Sequence, residues 1–147
     1  VEIVVRKLSP EKSEHWDLVS LMVEKAAPPT VIVDSTLLSN VRKAMLEGSL
    51  DGWVFSNSSP IAAALTTIRE DPIFGKKEMI IYAAMHLRKM SDAEWDGCFR
   101  MLRIHSIVKG CTHIGAYTVV QKIMDMGLRM GGNIDTRYIS IPLGGTK

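Results

Sequence analysis

From Met79 to Leu87 the chain reads Met-Ile-Ile-Tyr-Ala-Ala-Met-His-Leu, apolar at nearly every position and without alternation. A strand with one wet face alternates; a strand written this way is covered on both faces. The fold must therefore supply helices to two sides of a sheet, and that needs length. The 147 residues suffice for this as a single domain, residues 1–147, with a core that needs no staples. A content of 46% hydrophobic and 23% charged residues excludes wholesale disorder. Eighteen basic against sixteen acidic side chains leave a net charge of +2, too small for a phosphate-tracking surface, so nucleic acid is not expected as a partner. No apolar run reaches about 18 residues, so no helix is expected to span a membrane. The opening stretch Val1 to Lys7 lacks the charge-then-apolar order of a signal peptide.

Two cysteines, Cys98 and Cys111, stand apart from any C-x-x-C pair, and H-E-x-x-H does not occur. Metal sites gather three or four ligands at short spacings, so no metal is expected. Both thiols read as reduced and mostly buried, from which a cytoplasmic chain is expected. The nine methionines read as core filling, and Trp16, Trp53 and Trp95 as packing anchors.

Along the chain, Glu2 to Leu8 is a short β-branched strand. Ser9 as cap and Pro10 in the first helical position predict a helix with Trp16, Val19, Ser20, Val23 and Ala27 on one face, stopped by Pro28-Pro29. Asp34-Ser35-Thr36 predicts a second helix carrying Leu37, Leu38, Val41, Met45 and Leu46, ended by Gly48. From Asp51 the period changes. Gly52–Phe55, Ile61–Ile68 and Glu78–Arg88 are strands, separated by the turn cluster Ser56–Pro60 and the loop Asp71–Lys77, and together they form an antiparallel meander. Ser91-Asp92-Ala93-Glu94 is a capping box opening a helix to Lys109, with Gly110 as terminator. Thr112–Val120 is a strand, Gln121–Met130 a helix closed by Gly131-Gly132, and Asn133–Leu143 a last strand. The order β-α-α-β-β-β-α-β-α-β implies an α/β (α+β) fold, a mixed sheet with helices on both faces.

This succession, at these lengths and over essentially the whole chain, resembles the GNAT N-acyltransferase superfamily. The ending Met124-Asp125-Met126-Gly127-Leu128-Arg129-Met130-Gly131-Gly132, then Tyr138-Ile139-Ser140-Ile141-Pro142-Leu143, is similar to that family's closing helix, glycine turn and final strand. The resemblance implies acetyl-CoA as cofactor, with the pantetheine arm on backbone near Met85, His86 and Leu87 and the phosphates on Arg88 and Lys89. It implies an acid or base for proton transfer, for which His86 and Tyr117 are the candidates and Glu78 a further conceivable base. No tyrosine stands in Gln121–Met130, where the family often places one.

The family's phosphate loop is written Arg or Gln, two residues, Gly, one residue, Gly or Ala. Here the stretch is Leu87-Arg88-Lys89-Met90-Ser91-Asp92-Ala93-Glu94-Trp95-Asp96-Gly97, which departs from it. Ser91 is expected to satisfy amides the family leaves free, and Asp92, Glu94 and Asp96 place negative charge where a pyrophosphate lies. Two functions therefore stay open: an acyl-CoA-dependent N-acyltransferase with an atypical loop, or a non-catalytic GNAT-like binding or structural protein with a protein partner or a second copy of itself. The latter is similar to virus-encoded members, which places it in host cytoplasm or a virion. Arg100, Arg103 and Lys109 read as a solvated helix face and not as a nucleic-acid surface.

Overall fold

A computed structural model describes residues 2–27, 31–118, 121–134 and 141–144. Its strands are β1 (Val4–Lys7), β2 (Asp51–Asn57), β3 (Ser59–Asp71), β4 (Lys76–His86) and β5 (His113–Ala116). Its helices are α1 (Ser13–Ala26), α2 (Ser35–Glu47), α3 (Asp92–Val108) and α4 (Gln121–Arg129). This is the expected α/β succession as far as α4. Pro28 and Pro29, and residues 135–140 of the expected last strand, lie outside the described residues. The chain packs as two compact units, Val1–Tyr117 and Thr118–Lys147.

In the first unit the five strands form one sheet in the order β1-β2-β3-β4-β5. The first three pairings are antiparallel and β4–β5 is parallel, with α3 as the crossover. Two cores follow from the two faces. Ile3, Trp53, Phe55, Ile61, Ala64 and Met79 meet Cys98 and Leu102 of α3. On the other face Ala63, Leu65 and Ala83 meet Val19 and Met22 of α1 and Met45 of α2. β4 contributes Met79 to the first and Ala83 to the second. The expected cover on both faces holds only as far as Ile81: beyond it Tyr82, Ala84, His86 and Leu87 are exposed, because β5 ends at Ala116. Trp53 anchors the first core, its indole N–H donating to Thr66 Oγ1 at 2.8 Å.

Most element ends have the predicted chemistry. Asp34 Oδ1 accepts from the Leu37 amide at 2.9 Å to start α2, and Gly48 ends it at φ 82° in the left-handed region. The start of α1 is a correction. Ser9 to Lys12 form a turn, closed by the Lys12 amide donating to the Ser9 carbonyl at 3.2 Å, and α1 begins only at Ser13. Proline's fixed φ suits the second position of a turn as well as a helix start. Here the turn wins, with the Ser9 amide donating to His15 Nδ1 at 2.9 Å. The cluster Ser56–Pro60 is also tighter than expected, since Asn57 pairs with Ser59 and only Ser58 remains at the tip. Leu46 is exposed and does not join the α2 core face.

In the second unit α4 closes on its own glycines. The Gly132 amide donates to the Gly127 carbonyl at 2.8 Å, and a Cβ at Gly132 would stand 2.6 Å from that oxygen.

Candidate functional site

β4 positions the site because it does two things along its length. Up to Ile81 it is bonded on both sides, with Glu78–Ile81 opposite His113–Ala116 of β5. Beyond that level β5 no longer follows it, while β4 runs on to His86 beside β3. The parting coincides with an irregularity on the other side: Leu65 faces Ala83 and Thr66 faces Ile81, so Tyr82 is the extra residue of a bulge. A bulge bends and twists its strand locally, and the pairing with β5 ends at this same level.

The predicted residues distribute around this stretch. Met85 is half-buried against the α1–α2 face, so only its backbone is presented there. His86 and Leu87 are exposed at the far end, where the Leu87 amide donates to the Ile61 carbonyl at 2.7 Å. Tyr117 follows Ala116 at the near end, and its hydroxyl accepts from Arg69 Nη1 at 3.0 Å. His86 and Tyr117 thus flank the stretch from its two ends and are not brought together.

Arg69 belongs to a cluster that sequence reasoning did not assemble. Its Nη2 lies 3.4 Å from Glu78 Oε1, and Lys76 Nζ lies 3.2 Å from Glu78 Oε2. The Glu78 carboxylate rests over β5 at Gly115, where a Cβ would stand 2.8 Å from Oε2. Glycine is needed there for close approach. The Tyr117 hydrogen bond, with Glu78 adding charge, raises the Arg69 guanidinium further above its usual range.

At the other end of the stretch, α3 begins with the predicted capping box. Ser91 Oγ accepts from the Glu94 amide at 3.1 Å and Glu94 Oε1 accepts from the Ser91 amide at 3.0 Å. Sequence reasoning missed what else the Glu94 carboxylate holds. Arg88 reaches it with both terminal nitrogens, Nη1 to Oε1 at 3.1 Å and Nη2 to Oε2 at 2.7 Å. Asn57 Nδ2 of β2 adds 3.2 Å to Oε2. These bonds, Arg88 first, then Ser91 and Asn57, hold the Glu94 carboxyl down at about 2. One turn on, burial above all, and Glu94's charge after it, push the Cys98 thiol up to about 11. Lys89 is exposed, its carbonyl accepting from Arg88 Nη1 at 3.0 Å. Among the described residues no group of three His, Cys, Asp or Glu is placed to hold a metal ion, and no helix is long and apolar enough to cross a membrane.

No family model matches the sequence, and comparison with curated proteins finds no relative. Solved structures do match. A predicted acetyltransferase from Clostridium acetobutylicum, solved with acetyl-CoA, superposes with TM-score 0.70 at 12% identity, over 95% of this chain and 96% of that one. A GCN5-related N-acetyltransferase from Ralstonia eutropha JMP134 gives TM-score 0.66 at 17% identity, over 97% and 99%. This chain has the GNAT fold. The same fold carries other labels, since a transcriptional regulator from Bacillus halodurans C-125 gives TM-score 0.68 at 10% identity over 97% and 100%. At such identities the GNAT likeness fixes architecture, and the chemistry rests on the residues.

Proposed function

We propose that the chain is a GNAT-type N-acyltransferase that takes its acyl group from a pantetheine thioester lying along Tyr82–His86 of β4. The observation that carries this reading is the parting of β4 from β5 after Ile81 and Ala116. It leaves a bulged stretch of strand whose edge, His86 included, can offer backbone groups to an amide-bearing arm, although the Leu87 amide is already given to the Ile61 carbonyl. The structural likeness to an acetyltransferase solved with acetyl-CoA supports the same donor class. On that stretch His86 offers a ring nitrogen as proton acceptor, and Tyr117, whose hydroxyl accepts from Arg69, stands towards its opposite end.

At the start of α3, side chains as they stand compete with the diphosphate of coenzyme A. A diphosphate at the start of α3 needs free amides and free cations. Here the Ser91 and Glu94 amides are capped and Arg88 is engaged by Glu94. That closed end favours a second reading, a non-catalytic GNAT-like module that binds a protein partner or its own copy, in a cytoplasm or a virus particle.

Titration with S-acetylpantetheine and acetyl-CoA, followed by calorimetry and amide exchange, separates the two. The enzyme reading expects heat and slowed exchange confined to residues 82–87. Neither signal at millimolar ligand, together with a stoichiometric complex on purification, decides for the module.

A further inference from the structure

We infer that Glu94 acts as a built-in anion that closes the start of α3 against a diphosphate, and that Arg88 serves an external phosphate only when Glu94 is neutralised. The inference rests on the acyl-donor reading above for its biological sense, and on the geometry of one carboxylate for its substance. A carboxylate offers about four acceptor positions. Those of Glu94 meet four donors: the Ser91 amide at 3.0 Å, Arg88 Nη1 at 3.1 Å, Arg88 Nη2 at 2.7 Å and Asn57 Nδ2 at 3.2 Å. Its side chain is only 7% exposed.

A helix cap alone does not require this arrangement. The reciprocal bonds of Ser91 and Glu94 complete a capping box by themselves. Arg88 comes from the segment between β4 and α3, and Asn57 from the end of β2, 37 positions from Glu94 in sequence. Their convergence gives the carboxylate the surroundings of a bound anion: two guanidinium nitrogens in a fork, a side-chain amide and a backbone amide at a helix start. A diphosphate arriving here meets a fixed negative charge, an occupied guanidinium and capped amides. The donors of an anion site are present, and the chain's own carboxylate fills them.

Glu94→Gln is the discriminating variant, because glutamine also completes a capping box while losing the charge. Calorimetric titration with inorganic pyrophosphate compares the natural chain, E94Q and the double variant E94Q/R88A. Circular dichroism verifies that each is folded, and Glu94→Ala repeats the comparison should E94Q fail to fold. The expected result is pyrophosphate binding about tenfold or more tighter in E94Q than in the natural chain, the scale of a released charged hydrogen bond, with the gain lost in the double variant. Equal affinity in the natural chain and E94Q overturns the inference, as does a gain that survives R88A. S-acetylpantetheine, which carries no phosphate, is titrated in parallel and is expected to bind the natural chain and E94Q alike. Its failure to bind either sinks the acyl-donor reading, while the pyrophosphate comparison still judges Glu94.

Discussion

At the scale of single residues the charge on Glu94 sets an acid limit. Its carboxyl titrates at about 2 in the folded protein against an ordinary 4.5. A depressed carboxyl gives its full stabilisation above the unfolded value and loses it as pH falls towards the folded one. The natural chain is therefore expected to lose melting temperature between about pH 4.5 and pH 2 more steeply than E94Q, which lacks this titration. Parallel slopes for the two proteins in that window exclude the assignment. The cysteines make a second case. Cys98 is buried with its thiol pushed up to about 11, while Cys111 is half-buried. Thiolate is the reactive form, so mass spectrometry after iodoacetamide at pH 8 should find Cys111 alkylated first, with Cys98 modified only on unfolding.

At the scale of elements, α3 packs so closely on Ile3, the residue before β1, that side-chain size matters. A Cβ at Gly97 would stand 2.6 Å from Ile3 Cγ1. Gly97→Ala is expected to cost about 1–3 kcal/mol through overpacking, against a helix-propensity gain of at most about 1 kcal/mol. Urea denaturation measures the balance, and the double variant with Ile3→Ala should cost less than the sum of the two. Gly48 holds a left-handed φ of 82°, so Gly48→Ala should cost about 1 kcal/mol without touching another side chain. Signals of this local kind were legible: Asp34 and Gly48 around α2, and Ser91 and Glu94 at α3. The start of α1 was not, because Ser-Pro-Glu announces a turn and a helix equally well. Contacts remote in sequence complete this turn, as where Arg42 Nη2 of α2 donates to the Pro10 carbonyl at 2.9 Å.

At the scale of the molecule the meander and the crossover were readable because each strand pairs with its neighbour in the chain. The site was readable only in part. His86, Arg88 and Glu94 were each visible, yet nothing local says that Arg88 turns to Glu94, that Asn57 joins them, or that Arg69 takes the Tyr117 hydroxyl. Those are meetings of side chains brought close by folding. The strand order has a further consequence, in time. β2, β3 and β4 pair through short hairpins, whereas Val4 of β1 must find Ser56 across two intervening helices. Short loops close at lower entropic cost, so the two hairpins from Asp51 to His86 should organise the rate-limiting barrier and β1 should dock after it. In stopped-flow experiments Ala64→Gly is then expected to slow folding, and Val5→Ala chiefly to hasten unfolding.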